Sequence, residues 1–202
     1  MREIALFVED FAHQAFLAAL LQRLAAEYGI AIRLDWRNAR RGHGAVIREL
    51  RQFLRDLQRG RDCLPDLLVV ATDANCRGLT ERLRQITEVT AKVQMPTLCA
   101  VPDPHIERWM LVDAVAFKSV FGHGCKAPDR KCERARYKKM LIDAIKTAGV
   151  TPSIGGIEFA DDIVAAMDLD RAAGADDSLR KVIAELRQVF EGWKTANGHR
   201  SA

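Results

Sequence analysis

The sequence has no run of apolar residues that approaches the ~18 needed to cross a membrane. Its first residues, MREIALFVED, also lack the long apolar stretch and the small-residue cleavage site of a signal peptide. Aromatic residues are few, at 6% of the 202, and most of the apolar 49% is leucine, alanine, valine and isoleucine. This composition is typical of helices packed on a buried sheet, and we expect a cytoplasmic α/β protein.

Other absences exclude particular folds and chemistries. No glycine-rich dinucleotide-binding fingerprint follows the first predicted strand, and no Lys-Ser/Thr pair is preceded by the glycine of a Walker motif. Binding of dinucleotides or nucleoside triphosphates by those devices is therefore excluded. The cysteines are odd in number and scattered, which favours reduced thiols over a disulfide framework. They are Cys63, Cys76, Cys99, Cys125 and Cys132.

Basic residues are concentrated in two segments, although the net charge is only +4. Residues 33–61 contain nine arginines against three acids, and residues 126–139 contain seven basic residues against two acids. Both segments are suited to facing a polyanion.

Four of the arginines form a pattern, which we call the arginine stripe. Arg48, Arg51, Arg55 and Arg59 are spaced at i, i+3, i+7 and i+11, so a helix places them on one face. Arginine forks bind phosphates well, and the spacing predicts a sequence-tolerant nucleic-acid contact. An ordinary solvated helix face is the alternative.

Strand-like and helix-like patterns alternate four times. The strand patterns are EIALFVE, IAIRLDW, PDLLVVATDAN and MPTLCAVPDP, and each precedes a helical pattern, the first of which covers Phe11–Tyr28 and the last residues 105–121. This alternation predicts a mainly parallel four-stranded sheet with helices on both faces. We place this core at residues 1–121 and a helical extension packed on it at residues 122–202.

Acids follow three of the four predicted strands. Glu9 and Asp10 follow the first, Asp73 the third, and Asp103 with Glu107 the fourth. Because the carboxyl ends of parallel strands share one edge of a sheet, these acids meet there and require protons or cations to neutralise them. Oxygen ligands favour Mg²⁺ or Mn²⁺. Helix capping or plain solvation remains open for Glu9, and an Asx-turn after the strand remains open for Asp73.

The same segments resemble those of Toprim-like proteins. LFVEDFAHQAFLAALLQRL is similar to their opening segment, in which a strand ends in a Glu-Gly pair and a long helix follows. VVATDANCRG is similar to their Asp-x-Asp motif at the end of the third strand. AVPDPHIERWMLVD is similar to the later motif of small bacterial members, in which a glutamate two residues before tryptophan opens a helix. The resemblance covers about residues 1–121 and extends to the segment RYKKML beyond them. It implies a Toprim-like fold and the Mg²⁺-dependent phosphodiester cleavage of topoisomerases, primases and overcoming-lysogenization-defect nucleases.

The sequence departs from the family pattern at three positions. Asp10 stands where the family has glycine, His13 stands where small relatives often repeat an acid, and the second motif reads Asp73 then Asn75 instead of two aspartates. Asn75 still offers an oxygen ligand, and Asp10 or His13 is able to replace the missing charge. The departures equally permit a degenerate domain that binds nucleic acid or a partner without cutting.

The function predicted from these features is a Mg²⁺- or Mn²⁺-dependent nuclease acting on DNA or RNA. The resemblance further implies an effector subunit of an antiphage system with an ATPase partner. It also selects Lys138 as the cation that stabilises the charge developing on the reacting phosphate. Whether several copies of the chain assemble is left open. A phosphatase or phosphotransferase with a small substrate is a third interpretation of the same acids. The predicted catalytic residues are Glu9, Asp73, Glu107 and Lys138, and the predicted metal ligands are Glu9, Asp10, Asp73 and Asn75.

Overall fold

A computed structural model describes residues 1–38, 42–91, 93–133 and 135–198 of the chain. Arg40, Arg41 and Arg134 of the two basic segments lie outside the described residues. Four strands form one sheet in which every neighbouring pair is parallel, as predicted. The strands are β1 (Arg2–Val8), β2 (Ile32–Asn38), β3 (Leu67–Ala71) and β4 (Thr97–Ala100).

Nine α-helices accompany the sheet within the described residues. They are α1 (Phe11–Tyr28), α2 (His43–Gln58), α3 (Leu79–Thr90), α4 (Ile106–Leu111), α5 (Ala114–Phe121), α6 (Arg136–Thr147), α7 (Ala160–Ala166), α8 (Leu169–Ala175) and α9 (Asp177–Gly198).

The strand order β2-β1-β3-β4 follows from the apolar patterns. β3 (LLVVA) is buried along its whole length and lies inside the sheet, because apolar residues on both of its faces contact helices. β2 lies at the edge and exposes Arg33 and Asp35, as its alternating pattern predicts, but it also exposes Trp36. Val8 of β1 is level with Ala71 of β3, so the residues that follow these strands emerge side by side.

Helices cover both faces of the sheet and create two apolar cores. On one face, α2 and α3 pack on β1 and β3, with the rings of Phe7 and Phe53 5.1 Å apart. On the other face, α1 and the helices from α4 onward share a larger cluster that includes Phe16, Trp109 and Phe190. The helices after residue 122 therefore contribute to the same core as α1 and β4.

A buried polar network joins α4 to the start of α9. Arg108 forms an ion pair with Asp176, and both residues are at most 3% exposed. Asp176 also accepts hydrogen bonds from the hydroxyl of Ser178 and from the backbone N–H of Leu179 at 2.9 Å. The Ser178 hydroxyl in turn accepts the indole N–H of Trp109 at 3.0 Å. The carboxylate of Asp176, the hydroxyl of Ser178 and the indole N–H of Trp109 thus have hydrogen-bond partners, and Arg108 has its ion pair.

The prediction of one continuous helix over residues 105–121 is wrong, because the chain breaks into α4 and α5. Asp113 lies at the break and accepts the backbone N–H groups of Val115 and Ala116, both at 3.1 Å, which makes it the N-cap of α5. Its carboxylate also accepts two hydrogen bonds of 2.8 Å from Arg171 and one of 2.9 Å from the N–H of Asp168. These distant partners outweigh the helical periodicity of the sequence.

The expectation of reduced thiols is wrong for one pair of cysteines. Cys76 and Cys132 form a disulfide whose Cα atoms are 5.5 Å apart, while Cys63, Cys99 and Cys125 are free. The bond links the loop after β3 to the segment before α6. Two thiols 56 positions apart in the sequence give no local sign of such a bond.

Among the residues described, no helix combines the length and the apolar character that a membrane crossing needs.

Candidate active site

Asp10, the second of the two acids after β1, is a helix cap. Its carboxylate accepts the backbone N–H of His13 at 3.1 Å and so begins α1. A negative charge at this position also complements the positive end of the helix. The capping explanation therefore accounts for Asp10 and leaves Glu9 without a local role.

Glu9 instead joins the ends of two neighbouring strands. Its Oε2 accepts the backbone N–H of Asp73 at 3.1 Å and the hydroxyl of Thr72. Because β1 and β3 are parallel and in register here, Glu9 and Asp73 lie together as predicted. We call this region, the carboxyl ends of β1, β3 and β4 with Glu9, Asp73 and Glu107, the acid edge.

Asp73 is held by two histidines and one backbone amide. Oδ1 lies 3.1 Å from Nε2 of His13 and accepts the N–H of Ile106 at 2.9 Å, and Oδ2 lies 2.9 Å from Nδ1 of His105. Burial alone would raise the pKa of the Asp73 carboxyl, but His13 and His105 overcome this and lower it to about 2. Asp73 is therefore an anion at neutral pH.

His13 lies fully buried between two acids. Its Nδ1 is 2.8 Å from Asp10 Oδ1, and its Nε2 faces Asp73. Burial would lower the pKa of His13, but Asp73 and Asp10 together raise it to about 10. His13 is thus an imidazolium that neutralises part of the acid edge, a role that differs from that of a metal ligand.

Glu107 approaches the same region from the first turn of α4 and is partly buried. Burial and the charge of Asp73 raise the pKa of its carboxyl. The acid edge therefore brings together carboxylates from three separate segments of the chain. Among the described residues, however, no group of three or more His, Cys, Asp or Glu side chains is arranged to hold a metal ion.

The two remaining predicted residues have other contacts. Asn75 adopts a left-handed backbone conformation (φ 49°), and its amide group donates to the carbonyl oxygen of Asp73 at 3.4 Å. Lys138 is exposed on α6, and its Cε lies 3.1 Å from the position that a Cβ of Gly155 would take. No described hydrogen bond or ion pair joins Lys138 to the acid edge. Their proposed roles stay predictions.

Four residues of this region escaped the sequence analysis. His105 holds Asp73, and Thr72 links Glu9 to His43, whose Nδ1 is 3.1 Å from the Thr72 hydroxyl. The fourth is Arg82 of α3, which is 8% exposed. The charges of Glu9 and Asp73, both at the acid edge, act on its guanidinium. Thr72 could have been predicted to lie at the acid edge, because it directly follows β3 in the sequence. The other three residues reach the acid edge only through the packing of helices.

The arginine stripe lies on α2 and on Arg59, the residue that follows it, and all four side chains are exposed. Beside it, a groove of about 400 Å³ between α2 and α3 is lined by Arg51 and Arg55, but also by Glu88 of α3. The stripe is therefore available to a polyanion, with one acid on the opposite wall of the groove.

No protein-family model, curated protein or solved structure matches the chain.

Proposed function

We propose that the acid edge hydrolyses phosphodiester bonds of DNA or RNA with the help of Mg²⁺ or Mn²⁺. The observation that carries this proposal is the meeting of Glu9 and Asp73 at the ends of neighbouring parallel strands, with Glu107 at the same edge. The Toprim-like motifs at these residues support the same reaction. The cytoplasmic location, the antiphage role, the ATPase partner and assembly of several copies rest on the sequence and on that resemblance alone.

The oxygen donors of the acid edge suit a hard divalent cation. No described residue bonds Oε1 of Glu9, and Asp73 has accepting capacity beyond its three contacts. Glu9, Asp73 and Glu107 are the residues that would hold the ion, with Asp10 and Asn75 nearby. When bound, such an ion polarises a phosphate oxygen and lowers the pKa of a bound water.

The protein itself supplies position and charge balance. His13 and His105 fix the orientation of the Asp73 carboxylate from two sides, and the Asp73 N–H fixes Glu9. The imidazolium of His13 compensates the repulsion between Asp10 and Asp73. Lys138 is the residue that the resemblance implies for stabilising charge on the reacting phosphate.

A second candidate is a non-cutting module that binds nucleic acid or assembles with a partner. It is favoured by the contacts of Asp73, because both of its oxygens are already engaged by His13, His105 and the N–H of Ile106. It requires the arginine stripe but no metal.

Substitution of the acids distinguishes the two candidates. We expect purified protein to cleave plasmid, single-stranded DNA or RNA with Mg²⁺ or Mn²⁺ but not with EDTA, and Glu9→Gln and Asp73→Asn to reduce the rate by about a hundredfold or more. Mn²⁺ titrations should show weaker binding by both variants. Asp103→Asn is the matched control, because this exposed acid follows β4 at the same edge. Wild-type Mn²⁺ affinity in both variants would contradict the site.

A salt titration tests the arginine stripe independently of cleavage. Converting Arg51 and Arg55 to alanine should weaken nucleic-acid binding for all sequences and flatten the log–log salt dependence. The expected change is about 0.9 per lost contact on duplex and about 0.7 on single strands. Arg84→Ala, an exposed arginine on α3, is the control. An unchanged slope in the double variant removes the stripe from the binding surface.

A further inference from the structure

Two helices begin side by side at the acid edge without a side-chain cap. α2 begins after Gly42 (φ 77°) and α3 after Gly78 (φ 88°), and neither N-terminus has a capping side chain. Uncapped backbone N–H groups at a helix start attract anions. The first turns of these helices also carry two polar side chains, His43 of α2 and Arg82 of α3.

Arg82, in the first turn of α3, is nine-tenths buried but has an unsatisfied donor. The residue is 8% exposed, and its Nε has no hydrogen-bond partner in the described part of the chain. Its Nη1 reaches only Oε1 of Gln85, at 3.3 Å. Glu9 and Asp73 act on its charge from a distance, yet no described acid lies within ion-pair range of Arg82. A buried guanidinium in this state is costly unless an anion completes its contacts.

The surroundings of Arg82 are basic and polar. Nδ1 of His43, the first residue of α2, lies 3.1 Å from the Thr72 hydroxyl. The charges of Arg82 and of the exposed Arg77 both act on His43. The guanidinium of Arg48 extends toward the first turn of α2, with Nη1 3.9 Å from the position of a Cβ on Gly44. The arginine stripe therefore starts at this point and continues along α2.

We infer that Arg82, His43 and the N-termini of α2 and α3 form a phosphate pocket. The pocket binds one phosphodiester group of the polynucleotide, adjacent to the phosphodiester group that lies at the carboxylates. This assignment rests on the proposed function for the identity of its ligand. A polynucleotide is favoured over an isolated phosphate because the pocket joins the acid edge at Thr72 and Glu9 and joins the arginine stripe at Arg48. A fork-shaped guanidinium suits the paired oxygens of a phosphodiester.

The test measures binding of a short fluorescent oligothymidylate in EDTA, so that neither metal nor cleavage is needed. Arg82→Gln should lower the salt slope by about 0.7, as one lost phosphate contact does on single strands. Arg82→Lys keeps the charge but loses the fork, so the slope should persist while affinity falls by about tenfold. His43→Gln should weaken binding in the same direction. Arg84→Gln is the matched control on α3, because its side chain pairs with Glu81 and Glu88 instead.

The outcomes separate this inference from the proposed function. If the protein cleaves no nucleic acid but its oligonucleotide binding depends on Arg82, the pocket is supported and the proposed nuclease function is rejected. If the wild type cleaves, but the folded Arg82→Lys and His43→Gln variants bind the oligonucleotide with unchanged affinity and unchanged salt slope, the pocket is overturned. Inorganic phosphate that binds as tightly as the oligonucleotide also overturns it, in favour of a small substrate. If Arg82→Gln fails to fold, the lysine and His43 variants decide.

Discussion

Replacing Asp176 with alanine is expected to lower the free energy of unfolding by about 3–5 kcal/mol, the cost of leaving a buried charge without its partner. Arg108, 3% exposed, would keep its hydrogen bond of 3.0 Å to the carbonyl of Asp129 but lose its only described ion pair. α9 would lose the acceptor of the Leu179 N–H at the same time. Denaturant unfolding at neutral pH measures the change.

Asp177→Ala is the matched control for this experiment. Asp177 is the next residue in the chain, but its ion pairs with Arg130 and Arg180 are exposed, so its loss should cost less than about 1 kcal/mol. Combining Asp176→Ala with Arg108→Met should recover part of the stability, because the unpaired cation is then removed. Equal effects of the two single aspartate variants would show that the buried network does not join α4 to α9.

Replacing Asp113 with alanine is expected to cost about 2–3 kcal/mol, because the change removes the cap of α5 and charge-assisted hydrogen bonds to Arg171 and Asp168. Arg171 is partly exposed and regains water, which limits the loss. Chemical denaturation of wild type and variant measures the difference. Asp162→Ala, an exposed acid on α7, should change stability by less than about 0.5 kcal/mol.

The cost of Asp113→Ala should also depend on pH. Burial alone would raise the pKa of the Asp113 carboxyl, but Arg171 and the backbone amides of Ala116 and Asp168 hold it below its ordinary value of 3.8. The folded state therefore binds fewer protons than the unfolded state, and the stabilisation is complete above that ordinary value. As the pH falls through the lower folded pKa, the gap between wild type and variant should close. A gap that widens in acid would contradict this account.

The sheet could be predicted from sequence because its information is local. Continuous apolar runs mark β1 and β3 as inner strands, the alternation in β2 marks an edge, and each strand is followed by a helical period. The meeting of Glu9 and Asp73 follows from parallel strands alone, so this part of the acid edge was also predictable. The register of Val8 with Ala71 is the structural reason.

The rest of the candidate site depends on contacts between distant segments. His13 and His105 flank Asp73 only because α1 and the start of α4 both approach the end of β3. Arg82 of α3 enters in the same way. A single histidine or arginine in a helical pattern reads as an ordinary packed or solvated residue, since no periodicity records which residue it will contact. The break at Asp113 was missed because its partner Arg171 is 58 positions away.

The strand order also determines how long one edge of β1 stays unpaired while the chain is being synthesised. β1 pairs with β2 on one side and β3 on the other, and Ile4 meets Leu67, which is translated 63 positions later. At about 5–20 residues per second, the ribosome takes roughly 3–13 s to supply that second partner. During this interval β1 carries an unpaired edge of five consecutive apolar residues, IALFV, and its pairing with another nascent copy competes with the insertion of β3.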